Sequence, residues 1–284
     1  DMKWENNKQF NIALEFSTLN SRLGGTIEWY TRNSEDLLYY KDLPLSAQVG
    51  GSSGINTNLG NIVNRGFEFT LNAVPVQTTD FVWTIDANIS TLHNEVTYLP
   101  GGAYNYTNRV ANYRLEEGKS LFEFYMTKNA GINPETGNLM YWKKDGNSWV
   151  KTEDWGAASS AENYQWCGSA IPNLFGSITN TIAWKGLDFS MMWYGSFGGK
   201  LYDYMWYEEA TGRVGVGLCD NVWGKVWTGP GDTDAEFPKW SHSNSGQTRR
   251  ASDFFLFNND FIRLRNVVLG YSVPKRIVEK AGLS

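Results

Sequence analysis

The chain alternates between apolar and polar side chains over long stretches. Phe10, Ile12, Leu14 and Phe16 fall on one side, while Asn11, Ala13, Glu15 and Ser17 fall on the other. A period of two over eight residues describes a strand with one greasy and one wet face. Beyond the polar turn Asn20-Ser21, Leu23, Gly25, Ile27 and Trp29 alternate with Thr26, Glu28 and Tyr30, which makes a hairpin partner. Phe67, Phe69, Leu71 and Ala73 repeat the pattern, and after a turn spanning Pro75 to Asp80 so do Phe81, Trp83, Ile85, Ala87 and Ile89. A third hairpin turns at Lys185-Gly186, with Leu174, Gly176, Ile178, Ile182 and Trp184 before it and Leu187, Phe189, Met191 and Trp193 after it; Asn180 is its one polar exception.

This pattern predicts antiparallel strands at residues 10–17, 22–31, 66–74, 81–90, 173–184, 187–197 and 261–273. A further pair at 119–130 and 139–143 would raise the count from seven to nine. The turns near Asn20, Thr78 and Lys185 are short, whereas residues 33–63, 93–118, 145–170 and 198–257 are long stretches rich in Gly, Asn, Ser, Tyr and Trp. Transmembrane barrels combine two-faced strands of about 9–11 residues with short turns at one end and long loops at the other. A large soluble antiparallel sandwich alternates too, but loops beyond about 15 residues are uncommon in compact domains. On the barrel reading Phe69, Leu71, Trp83, Ile85, Ile178, Phe189 and Met191 face lipid, and Thr70, Thr84 and Ser190 do not.

The last strand breaks the scheme, because Arg263 and Arg265 share parity with Val267, Leu269 and Tyr271. An Arg on the lipid face at mid-membrane costs about 2–4 kcal/mol, falling toward zero at the rim. Either both arginines sit near that rim or a bulge resets the face.

Composition supports a chain that places rings neither in a core nor in water. Aromatics are 15% of residues, with 13 Trp, yet mean hydropathy is −0.43, a combination unusual for a soluble domain. No run reaches the roughly 18 apolar residues of a spanning helix; Phe189 to Gly199 is the most apolar stretch. A net charge of −5 argues against a nucleic-acid partner, which needs clustered Lys and Arg. Cys167 and Cys219 are the only cysteines and His93 and His242 the only histidines, without metal-ligand spacing, so no metal site is expected. A disulfide between the two cysteines and a pair of free thiols both fit. Asp1 opens directly onto MetLysTrpGluAsn, so a targeting signal is expected to have been removed, or the chain to begin within a longer protein.

Seven ordered segments carry a family resemblance. They are TrpGluAsnAsnLysGlnPheAsnIleAlaLeuGluPhe at 4–16, ArgLeuGlyGlyThrIleGluTrpTyr at 22–30, AsnArgGlyPheGluPheThrLeu at 64–71 and PheValTrpThrIleAspAlaAsnIleSer at 81–90. AlaGlyIleAsnProGluThrGlyAsn at 130–138, ProAsnLeuPheGlySerIleThrAsnThr at 172–181 and AsnAspPheIleArgLeuArgAsnValValLeuGlyTyrSerValPro at 259–274 complete the series. In this order they resemble the barrel of SusC/RagA-type TonB-dependent transporters of Bacteroidota. Physically, Gly66 reads as a residue free to adopt positive φ where a strand begins or bulges. Asn133 to Asn138 reads as a turn with Gly137 in its left-handed position, and as a weak Ca²⁺ loop in which only Glu135 is anionic.

The resemblance implies an all-β membrane protein: a segment of a 22-stranded antiparallel transmembrane β-barrel in the bacterial outer membrane, with long extracellular loops. Residues 1–284 would form a partial barrel domain, with the plug domain and the last strands absent. It implies energised import of oligosaccharides or peptides, with a SusD-like surface lipoprotein and the TonB–ExbB–ExbD complex as partners and no cofactor. The alternative is a secreted, aromatic-rich β-sandwich that binds carbohydrate. Loop aromatics suited to stacking on sugars or peptides are Tyr104, Tyr106, Trp142, Trp149, Trp155, Trp166, Trp206, Trp223, Trp227 and Trp240. Packing the loops or contacting the lipoprotein is the plainer role for each. An enzyme reading would use the acidic pairs Glu116/Glu117, Glu208/Glu209 or Asp232/Asp234, but no GxSxG, HExxH or phosphate-binding loop accompanies them.

Overall fold

A computed structural model describes residues 2–42, 54–58, 60–108, 110–209, 220–240, 250–274 and 278–279. The alternating segments build one antiparallel sheet from β1 (Asn6–Thr18), β2 (Leu23–Glu35), β3 (Asn61–Gln77), β4 (Phe81–Thr91), β5 (Leu174–Trp184), β6 (Leu187–Phe197) and β7 (Phe261–Tyr271). They lie side by side in chain order, each paired antiparallel with the next. All seven strands expected from the pattern are present. Several run further than expected: β2 and β3 continue into the loop anticipated at 33–63, and residues His93–Tyr98 pair with the upper part of β3, beyond the end of β4. The expected pair at 119–130 and 139–143 does not join this wall. Glu123–Thr127 and Leu139–Asp145 belong instead to two separate small sheets, one of four strands and one of three.

Cross-strand register makes the two faces continuous. On one, Ile12 meets Trp29, Leu14 meets Ile27, Ile27 meets Phe69 and Phe69 meets Ile89. Further along, Ile178 faces Ala87 and Trp193, and Phe189 faces Leu269. Ile12 and Leu14 are 63% and 65% exposed, and among the described residues no second sheet covers this side as a sandwich would require. The opposite face aligns Glu28 with Glu68, Thr70 with Asn88, Asp86 with Thr179 and Thr181 with Ser190. Asn11 donates to Glu28 at 2.7 Å and Asn72 to Asp86 at 2.6 Å there.

Rings gather at both ends of the apolar face. Phe10, Trp29, Phe67, Trp193 and Phe197 lie toward the long loops, and Phe16, Phe81, Trp83, Trp184 and Tyr271 toward the short turns. At ~3.3 Å per residue and a tilt near 40°, a strand the length of β5 rises about 25 Å, the height of the apolar band of an outer-membrane barrel. The polar exception Asn180 is satisfied within that band: its side-chain oxygen accepts the Trp83 indole N–H at 3.3 Å.

The paradox of the last strand is resolved by a bulge. Register shifts between Met192 and Trp193, so Val267 and Leu269 pair on the apolar face while Leu264, not an arginine, meets Trp193. Arg263 pairs with Tyr194 on the polar face, and the Arg265 guanidinium lies 5.6 Å from the centre of the Tyr194 ring. A second bulge between Ala73 and Val76 carries β3 through Pro75, which lacks a ladder donor, so the turn begins only at Thr78. Gly66 corrects an expectation. It lies inside β3 without positive φ, and it is glycine because a Cβ would stand 2.0 Å from the Thr91 carbonyl oxygen.

The short turns share one end of the sheet, where Lys185 N–H donates to Asp80 O at 3.0 Å and Ser272 N–H to Gly186 O at 2.7 Å. Lys185 and Gly186 both have positive φ, 46° and 86°, the hairpin turn whose twist matches its strands.

Nitroxide labels at Phe69, Leu71, Trp83, Ile85, Ile178, Phe189 and Met191 are expected to respond to a lipid-soluble relaxation agent, and labels at Thr70, Thr84 and Ser190 to a water-soluble one. Equal response at both sets would contradict the two-faced assignment.

Candidate substrate-contact loops

The described parts of the long connections are built structures seated on the loop end of the wall. Asn94, just beyond β4, donates to Asn64 of β3 at 2.8 Å and accepts from Ser120 and from Leu121 N–H at 3.1 and 2.8 Å. Beside it Ile62, Val96, Leu99 and Leu115 form a buried cluster that joins wall to loops. Tyr104–Asn108, Ala111–Leu115, Glu123–Thr127 and Tyr164–Ser169 form the four-stranded loop sheet, and Asn129–Ile132, Leu139–Asp145 and Ser148–Thr152 the three-stranded one.

Most of the ten candidate aromatics pack these loops. Tyr104 and Tyr106 lie against the Ile62 cluster, and Tyr106 stacks on Tyr113 at 5.2 Å. Trp166 sits 4.8 Å from Tyr125 with the Lys119 ammonium 4.7 Å from its centre. Trp155 meets buried Tyr141 edge-on at 4.9 Å, and Trp142 carries Lys151 at 5.5 Å. Trp240 packs on Val222 and Phe237. Trp227 donates its indole N–H to Pro134 O at 2.7 Å. Trp149 and Trp223 present their rings to solvent, 41% and 77% exposed.

Trp206 alone of the ten lines a groove of about 480 Å³ on this end, with Phe237, Phe254 and Phe257 as apolar walls and Asp203, Lys225 and Glu236 at its polar edge. Lys225 and Glu236 pair at 2.8 Å. Pattern reading missed every groove residue except Trp206, because they come from three separated segments whose local sequence carries no periodic signal.

The turn Asn133 to Asn138 is a structural node. Gly137 has φ of +72°, as its left-handed position requires, and a Cβ there would come within 2.5 Å of the Trp227 ring. The turn reading describes this segment better than the weak Ca²⁺-loop one: Glu135 is exposed, while Asn133, Thr136 and Asn138 all donate to the Glu153 carboxylate, at 2.5, 2.7 and 2.7 Å. Burial alone would raise the Glu153 pKa, but these three donors, with Lys239 nearby, hold it below the usual carboxylate range.

Among the described residues the acidic pairs are engaged in local structural contacts. Glu116 pairs with Arg114, Glu117 accepts Leu99 N–H, and Asp232 accepts the Thr228 amide and hydroxyl; the side chains of Glu208 and Glu209 lie outside the described residues. Burial pushes the Cys167 thiol up to about 12, so it is not a nucleophile near neutrality. Cys219 and His242 lie outside the described residues, and with them the question of a disulfide.

Known proteins match this wall and its loops together. TonB-dependent receptor SusC of Bacteroides thetaiotaomicron is 30% identical over 283 residues, covering 96% of this chain and 26% of SusC. TonB-dependent receptor P3 of Formosa agariphila is 24% identical over 305 residues, covering all of this chain and 28% of P3. The solved RagAB peptide transporter superposes with a TM-score of 0.80 at 25% identity, over 96% of this chain and 30% of that one. Sequence and fold place this chain in the SusC/RagA-type TonB-dependent transporters. No protein-family model matches it. The chain thus spans less than a third of the length of these transporters and receptors, none of which is named as an enzyme.

Glu153→Gln is expected to speed amide exchange at Gly137 and Lys239 on the order of tenfold at neutral pH, the loss of about one charge-assisted hydrogen bond. Because the folded pKa is depressed, the protection is present above the unfolded carboxylate range and is lost as pH falls through the folded value. Hydrogen-exchange mass spectrometry against pH checks both, and an unchanged profile in Glu153→Gln would contradict the clamp.

Proposed function

We propose that this chain supplies part of the wall and the outer loops of an outer-membrane importer for oligosaccharides or peptides. The observation that carries the reading is the single two-faced sheet, short turns at one end and built loops at the other, whose match to RagA-type barrels takes in wall and loops alike. Residues 1–284 then act as a partial barrel domain, with a plug domain and the other strands supplied from outside them. The loops at 33–63, 93–118 and 198–257 face the cell exterior and the turns at Asn20, Thr78 and Lys185 the periplasm.

In this reading a SusD-like surface lipoprotein covers the loops, and substrate is held between it and the barrel mouth. Energy comes through the TonB–ExbB–ExbD complex acting on the plug. The groove at Trp206 and the exposed rings of Trp149 and Trp223 offer flat apolar faces beside Asp, Asn and Lys, which suit sugar rings and peptide side chains alike. The solved RagAB is a peptide transporter, which supports keeping peptides among the proposed substrates. The secreted-sandwich alternative lacks its second sheet: the apolar face is uncovered among the described residues.

Two measurements test this. Epitope tags placed at 43–53 and 210–219 are expected to bind antibody on intact cells and a tag at Lys185 only after permeabilisation; the reverse would invert the topology. Cells carrying the whole protein should accumulate a labelled oligosaccharide or peptide mixture only with an active TonB complex, and Trp206→Ala should raise the half-saturating concentration about tenfold, the loss of one stacked ring. Accumulation indifferent to TonB would contradict the import reading.

A further inference from the structure

The apolar face carries one notch, and its chemistry is specific. On β5 and β6 Gly176 lies directly opposite Gly195, and Gly176 is also opposite Ile89 of β4. Two neighbouring positions of the lipid-facing side therefore have no side chain, and a cavity of about 200 Å³ opens over them. Ile89, Ile178, Trp193, Phe197 and Ile262 form its rim, all on the apolar face by register, and no charged residue lines it. Backbone blocks a side chain at Gly176, and at Gly195 the movable Phe197 ring stands beside the floor. A Cβ on Gly176 would stand 2.3 Å from the Asn88 carbonyl oxygen, and one on Gly195 would stand 2.9 Å from the Phe197 ring.

We propose that this notch holds a hydrocarbon chain of an outer-leaflet lipid. The notch is continuous with the exposed apolar band above the Ile182 and Phe189 row, so in a membrane it faces acyl chains, and water finds too few polar partners there to stay. It lies toward the loop end of β5 and β6, where the Leu174–Phe197 pair closes the hairpin pairing, which assigns it to the outer leaflet. The assignment of face and leaflet rests on the barrel reading above. A flexible chain fits a shallow apolar groove between rings, whereas a second protein would need a far larger continuous patch to bind stably.

The test uses the whole protein carrying this segment, reconstituted in vesicles of phosphatidylcholine with a diazirine midway along one acyl chain. After irradiation, adducts on peptides containing Ile178, Trp193 and Ile262 should exceed those on the peptide containing Ile12 and Leu14 at least threefold. Ile178→Trp fills the notch from one rim and Ile262→Trp from another; each should bring the excess down to the Ile12 level, while heat-modifiable mobility on gels confirms that the variant is folded. Equal labelling in the unaltered protein, or an excess that survives both fillings, overturns the proposal while leaving the barrel intact. Absence of label at Ile12 and Leu14 as well overturns the membrane reading along with it.

Discussion

Hydrocarbon offers no hydrogen-bond partner, so every backbone N–H and C=O in the wall must find one on a neighbouring strand. Most features of this sheet follow from that constraint. Short hairpins, such as the one at Lys185-Gly186, join every second pair of neighbouring strands with the least chain, and the long loops join the others. Bulges occur where parity has to change, and the bulge beside Trp193 turns both arginines of β7 away from lipid without breaking the ladder for more than one residue. Even the single amide on the apolar face obeys the rule, with Asn180 held by the Trp83 indole.

The same sheet presents two chemically opposite faces at once. Its outer face presents aliphatic side chains between two rows of rings, and its inner face presents carboxylates, amides, hydroxyls and the arginines of β7. Above the rim the alternation stops mattering and ordinary globular packing takes over. Buried Tyr141, Phe124, Phe255 and Met126 organise the loops, and the Glu153 clamp ties the turn at Asn133–Asn138 to its hairpin. Packing of this kind also holds Trp206 against Val222 and Phe237 at the edge of its groove.

The wall was legible in the sequence because its physics is local: a period of two, a short turn and another period of two are visible in any ten-residue window. The arginines of β7 were legible only as a conflict, since parity reveals that something must give but not whether rim or bulge supplies it. Gly66 was misread for a related reason. Its neighbour across the sheet, Thr91, is 25 residues away, and close approach leaves no mark on the local pattern. The loops were the least readable part. Their aromatics signalled that rings were present, but whether a ring packs inward, as Trp155 does, or outward, as Trp223 does, depends on contacts between distant segments.

The outer edges of β1 and β7 find no strand partner among the described residues. A ~10-residue edge turns about five residues, and so about ten backbone groups, outward, each costing several kcal/mol in hydrocarbon, so two bare edges would cost tens of kcal/mol against the ~5–15 kcal/mol net stability of an ordinary domain. In the reading proposed above, further barrel strands complete this wall. The direct measurement is to express residues 1–284 by themselves, present them to detergent micelles and lipid vesicles, and assay protease resistance and heat-modifiable mobility. The account predicts a protease-sensitive chain with no heat-modifiable species. A protease-resistant, closed barrel formed from these residues alone would contradict it.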